Sequence, residues 1–144
     1  MNVIVDTCIW YALVDKNDTY SRYADAIAKL LESHKVLVPY PSLYETINTR
    51  LLRNQNRQAN KLFAYLNNPM RVHLIPDDAY RERALHAVQF NLEQGKTYSL
   101  VDMIIRLMME DVNLGDIAVM TFNVGDFVGV NGTEIINPEW YFEG

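Results

Sequence analysis

The chain has 144 residues, 49% of them hydrophobic and 22% charged, which supplies one compact core and makes no compositional case for disorder. Thirteen Lys and Arg against eighteen Asp and Glu leave a net charge of −5, which argues against gripping nucleic acid by bulk positive charge. The single cysteine, Cys8, excludes an internal disulfide and a zinc site of several thiolates, and it points to the reducing cytoplasm.

The first residues, MNVIVDTCIWYALVD, carry no basic leader, and no run of about 18 apolar residues follows, so neither secretion nor membrane insertion is expected. Residues 2–6 form a β-branched run ending in an acid, the pattern of a buried strand. A helix follows, with Thr7 as its cap and Ile9, Trp10, Leu13 and Val14 facing inward. Residues 20–32 read as a second helix, and Val36 to Val38 as a second strand stopped by Pro39. Ser42 to Leu52 and Gln58 to Leu66 read as helices with a break at 54–56. Val72 to Ile75 is a third strand. Asp77 then caps a long helix reaching Phe90, with Ala84, Val88 and Leu92 inward and Gly95 at its end. Leu100 to Met109 is apolar on nearly every side, which predicts an enclosed helix; Ile117 to Thr121 and Glu134 to Ile136 supply two more strands. Strands alternating with helices predict one α/β domain over residues 1–144, a parallel sheet covered on both faces.

Ligands of such sheets gather outside the carboxyl ends of the strands, and that rule sorts the acids. Asp6 ends the first strand, Glu45 opens the helix after the second, Asp102 opens the apolar helix, and Asn123 and Asp126 follow the fourth strand. Structural explanations compete. Ser42 with Glu45 and Ser99 with Asp102 have capping-box spacing, and Asp6 suits a helix cap. Three carboxylates on one rim would also repel one another until a divalent cation, Mg2+ or Mn2+, joined them. Such a centre hydrolyses phosphodiesters.

IVDTCIW at 4–10, SLYETIN at 42–48, YSLVDMII at 98–105 and VMTFNVGDF at 119–127 resemble, in order and spacing, the four acidic motifs of PIN domains, especially VapC-type toxins. The resemblance implies a PIN-like three-layer α/β fold with a twisted parallel sheet of four to five strands. It implies a metal-dependent endoribonuclease, with Asp6, Glu45 and Asp102 as metal ligands and Thr7, Ser99 and Thr121 as supporting hydroxyls. It also implies a homodimer through helices and a small antitoxin partner. The fourth motif departs from the pattern: the expected Asp two residues after Thr121 is Asn123, and the next acid is Asp126.

For the RNA substrate, Arg50, Arg53, Arg57 and Lys61 would lie within about 60° of one face of an unbroken helix, although a solvated surface explains them equally. Tyr40, Tyr44, Tyr65 and Tyr98 are candidates for stacking on bases. His34, His73 and His86 have no ligand spacing, and Cys8 reads as packing. Competing readings are a non-catalytic metal- or protein-binding module, a freestanding RNA-processing nuclease, and a phosphotransferase with Asp6 as nucleophile. Cys8, standing where that last class places a second Asp, speaks against it.

Overall fold

The computed structural model describes residues 1–130 and 133–142. β1 (Asn2–Val5), β2 (Lys35–Pro39), β3 (Val72–Ile75), β4 (Ile117–Met120) and β5 (Glu134–Ile136) form one sheet in the order β3-β2-β1-β4-β5. Every neighbouring pair is parallel. The apolar runs are continuous because both faces are covered. Val3, Val5, Val36, Val38 and Met120 point to one side, into a core with Trp10, Ile27 and Leu62. Ile4, Leu37 and Val119 point to the other, against Ile104, Ile105 and Met108. The chain steps outward from β1 to β2 and β3 and then crosses back to β4, so the order of connection reverses beside β1. Ligand clefts of parallel sheets open at such a point.

The helices are α1 (Thr7–Val14), α2 (Ala24–Glu32), α3 (Tyr40–Thr46), α4 (Thr49–Asn54), α5 (Asn56–Leu66), α6 (Arg81–Glu93) and α7 (Leu100–Glu110). Several differ from the sequence reading for identifiable reasons. Asp6, not Thr7, caps α1, since its carboxylate accepts from the Thr7 N–H. Ala12 takes the buried place assigned to Leu13, which is half-buried. A 3₁₀ turn at Ser21–Tyr23 precedes α2, which starts only at Ala24. Pro39 does not stop β2 but closes it, opposite Ile75 and beyond the last pairing with β1, where its missing N–H costs nothing.

The helix predicted over 42–52 is two helices. Ile47 and Asn48 leave the helical region, and the Asn48 side chain accepts from the Leu51 N–H at 2.9 Å to cap α4. Asp77 does not cap α6; it precedes the helix and pairs with Arg81 at 3.0 Å. Ala84 is buried as expected, whereas Leu92 is 63% exposed. Gly95, at φ +79°, ends that segment in the left-handed region. α7 is enclosed on one side only: Met103, Ile104, Ile105, Met108 and Met109 are buried and Leu100 is exposed. At the other end of the chain, Phe142 docks edge-on against Tyr23 at 4.9 Å, while Trp140 is exposed.

Candidate active site

The end of β1 sets the floor of the site. Asp6 is 7% exposed, and both carboxylate oxygens are engaged. Oδ1 accepts from the Thr7 N–H at 2.8 Å; Oδ2 accepts from Thr121 Oγ1 at 2.8 Å and from the Cys8 thiol at 3.6 Å. Thr121 follows β4 directly and accepts in turn from the Asn123 N–H at 2.9 Å. Adjacent parallel strands therefore bring the first and fourth sequence motifs into contact. Burial raises the Asp6 pKa, the hydrogen bonds oppose that rise, and the Asp126 charge adds to it.

Glu45 stands near the end of α3. Its Oε1 accepts from Thr7 Oγ1 at 3.5 Å, and Thr46 Oγ1 donates to Thr7 Oγ1 at 3.3 Å. Tyr11 and Asn48 complete this junction: the Tyr11 hydroxyl donates to Thr46 C=O at 2.8 Å, and Asn48 Nδ2 donates to the Tyr11 hydroxyl and to Glu45 C=O. Burial and the Asp6 charge raise the Glu45 pKa. The capping-box reading at Ser42 fails, because Ser42 lies inside α3, buried, with its hydroxyl lacking a hydrogen-bond partner among the described residues. Ser99 does cap α7, accepting from the Asp102 N–H at 3.0 Å. Asp102 is pushed up to about 6, first by burial and then by the charges of Asp6, Asp126 and Glu45.

Asp6, Thr7, Cys8, Tyr11, Glu45, Asn48, Ser99 and Asp102 line one cleft of about 640 Å³, as do Asn123 and Asp126; Thr46 and Thr121 support it without lining it. Of that pair, Asp126 carries the charge that helps raise the pKa values of Asp6 and Asp102. Among the described residues no three His, Cys, Asp or Glu side chains are gathered tightly enough to clasp an ion as they stand. The chemistry of the donor set nevertheless fits a hard divalent cation: the ligands are all oxygen, and burial and mutual repulsion penalise their charged forms, a penalty that a cation relieves. Glu45 is the exposed member of the set, its carboxylate held by a single 3.5 Å hydrogen bond.

Sequence reasoning did not foresee Tyr11, Tyr20, Asn48 and Gln55, which line the same cleft. It also missed Arg106, whose guanidinium lies over the Tyr98 ring and donates to the carbonyls of Asp126 and Val128, pinning the loop that carries Asp126. Its place one helical turn after Asp102 was the available signal. The basic stripe is not continuous. Gln55, at φ −136° and ψ 47°, separates α4 from α5, and only Arg50 reaches the cleft; Lys61 lines a separate groove with Lys16 and Arg22. Nor do Tyr40, Tyr44, Tyr65 and Tyr98 line it. Cys8 is a thiol pushed up to about 12 by burial and by Asp6, a weak donor rather than a nucleophile.

A parallel sheet covered on both faces, with an acid-lined cleft over the carboxyl ends of its central strands, defines an α/β protein whose cleft lies at its topological switch point. The chain belongs to the PIN domain family, whose family model matches residues 3–125. Two solved structures share the fold. One is VapBC2 from Rickettsia felis bound to a DNA fragment from its promoter: TM-score 0.64 and 19% identity over 95% of this chain and 98% of the other. The second is VapC20 of Mycobacterium tuberculosis, described as a toxin that cleaves the sarcin-ricin loop: TM-score 0.67 and 21% identity over 92% and 97%. No curated protein sequence matches the chain significantly. Among the described residues no helix is long and apolar enough to cross a membrane.

Proposed function

We propose that this chain is a metal-dependent endoribonuclease, the toxin of a cytoplasmic toxin-antitoxin pair, acting as a homodimer restrained by a small antitoxin. The observation that carries the reading is the convergence of Asp6, Glu45, Asp102 and Asp126 on one cleft in a chain of the PIN family. The likeness in fold to two VapC proteins supports the toxin assignment. Asp6, Glu45 and Asp102 would hold Mg2+ or Mn2+, which when bound supplies Lewis acidity at the scissile phosphate. Thr121 and Thr7 fix Asp6, and Thr7 also steadies Glu45. Asp126 accepts the proton of the attacking water, and the Asn123 amide orients that water.

The test is cleavage of RNA in the presence of Mg2+ or Mn2+. Cleavage is expected to stop with EDTA and in the Asp6→Asn protein; unchanged cleavage by that variant would falsify the assignment. Two observations favour a second reading, a metal- or protein-binding module without turnover: the acids form no ready-made cage, and Asn123 stands two residues after Thr121. Mn2+ binding by calorimetry, with no cleavage of any RNA, would establish that alternative.

A further inference from the structure

The cleft is longer than its catalytic acids require. It runs beside α1, which at eight residues is about 12 Å long, from Asp6 at one end to Asp15 at the other. Six acids line it: Asp6, Asp15, Asp18, Glu45, Asp102 and Asp126. Arg50 is the only Lys or Arg that does so, and among the described residues it forms no ion pair. The nearby acid Asp15 is occupied otherwise, accepting from Gln55 Nε2 and from the Asn17 N–H at 3.0 Å each. Burial raises the Tyr11 pKa, and the Arg50 charge lies close enough to oppose that rise, which places it beside the junction that holds Glu45.

A polyanion entering a cleft of six carboxylates is repelled except where a fixed cation offsets them. A guanidinium offers a phosphate two parallel N–H donors and never loses its charge. The same cleft is lined by Tyr11, Thr19 and Tyr20, the last stacked on Phe122 at 4.1 Å, which supply aromatic and hydroxyl walls suited to a nucleoside. We propose that the arm bounded by Tyr11, Tyr20 and Arg50 seats the nucleotide next to the scissile bond, with Arg50 binding its phosphate. This rests on the nuclease reading and adds to it the direction in which the RNA strand leaves the acids.

The experiment measures binding of a labelled single-stranded oligoribonucleotide by anisotropy in EDTA across a salt series, alongside cleavage with Mn2+. Arg50→Ala should weaken binding about tenfold and lower the slope of log K against log salt by about 0.7, the loss of one phosphate contact. Its KM should rise with kcat nearly unchanged, and Arg50→Lys should recover part of the affinity. Lys35→Ala, an exposed position at the amino-terminal end of β2 and outside the cleft, should match wild type. Wild-type affinity and salt slope in Arg50→Ala would overturn the proposal, as would a wild-type chain that binds no oligoribonucleotide. Weakened binding by Arg50→Ala, in a protein that cleaves nothing, would uphold the phosphate seat and remove the nuclease reading instead.

Discussion

Thr121 Oγ1 donates to Asp6 Oδ2 at 2.8 Å, joining residues 115 apart in the sequence, and both side chains are buried. The bond is where β1 and β4 meet over the cleft, and it offsets part of the cost of burying a carboxylate. Thr121→Val keeps the shape and removes the donor. Urea unfolding should show a loss of about 1–3 kcal/mol, with cleavage reduced as well. A variant as stable as wild type would show that this bond contributes nothing to the site.

Asp102 sets a pH dependence. Its folded-state pKa of about 6 lies above the ordinary 3.8, so the native state binds more protons between those values. The group's contribution to stability is therefore full below 3.8, declines as pH rises through about 6, and is absent above. Without divalent ions, Asp102→Asn should raise Tm above pH 6, and the gain should vanish as pH approaches 3.8. A gain independent of pH would exclude Asp102 as the titrating group.

A bound cation reverses this logic. Adding Mn2+ should raise the Tm of the wild-type chain above pH 6 and do so less as protons compete for the carboxylates at lower pH. Titration calorimetry in buffers of different ionisation enthalpy should detect proton release on binding. The Asp6→Asn and Asp102→Asn proteins should lose most of both effects.

Asp126 and Asn123 respond in opposite ways. Asp126→Asn removes a charge that raises Asp6 and Asp102, so carboxyl NMR titration should show the Asp102 pKa falling below about 6. Asn123→Asp adds a carboxylate to the same cleft and should tighten Mn2+ binding. Equal Mn2+ affinity in wild type and Asn123→Asp would place residue 123 outside the ion's reach.

Ser42 offers a contrast. Its hydroxyl is buried and unpartnered among the described residues, so Ser42→Ala should leave stability unchanged or raise it by up to about 1 kcal/mol. A loss of more than that would restore a hydrogen-bonding role for the hydroxyl.

The sequence itself determined the strands, their covered faces and the rim on which the acids gather. Continuous runs such as Val3-Ile4-Val5 and Ala118-Val119-Met120 are stable only between two layers, and an acid ending such a run must lie at the strand's carboxyl end. The tertiary structure decided what depends on contacts between distant segments. Thr121 meets Asp6 only through strand pairing, Tyr11 meets Thr46 and Asn48 only where α1, α3 and α4 converge, and Arg50 enters the cleft only because the chain turns at Asn48. Local patterns carry periodicity and caps; they do not carry the register and helix breaks that turn a stripe of four basic residues into one arginine facing six acids.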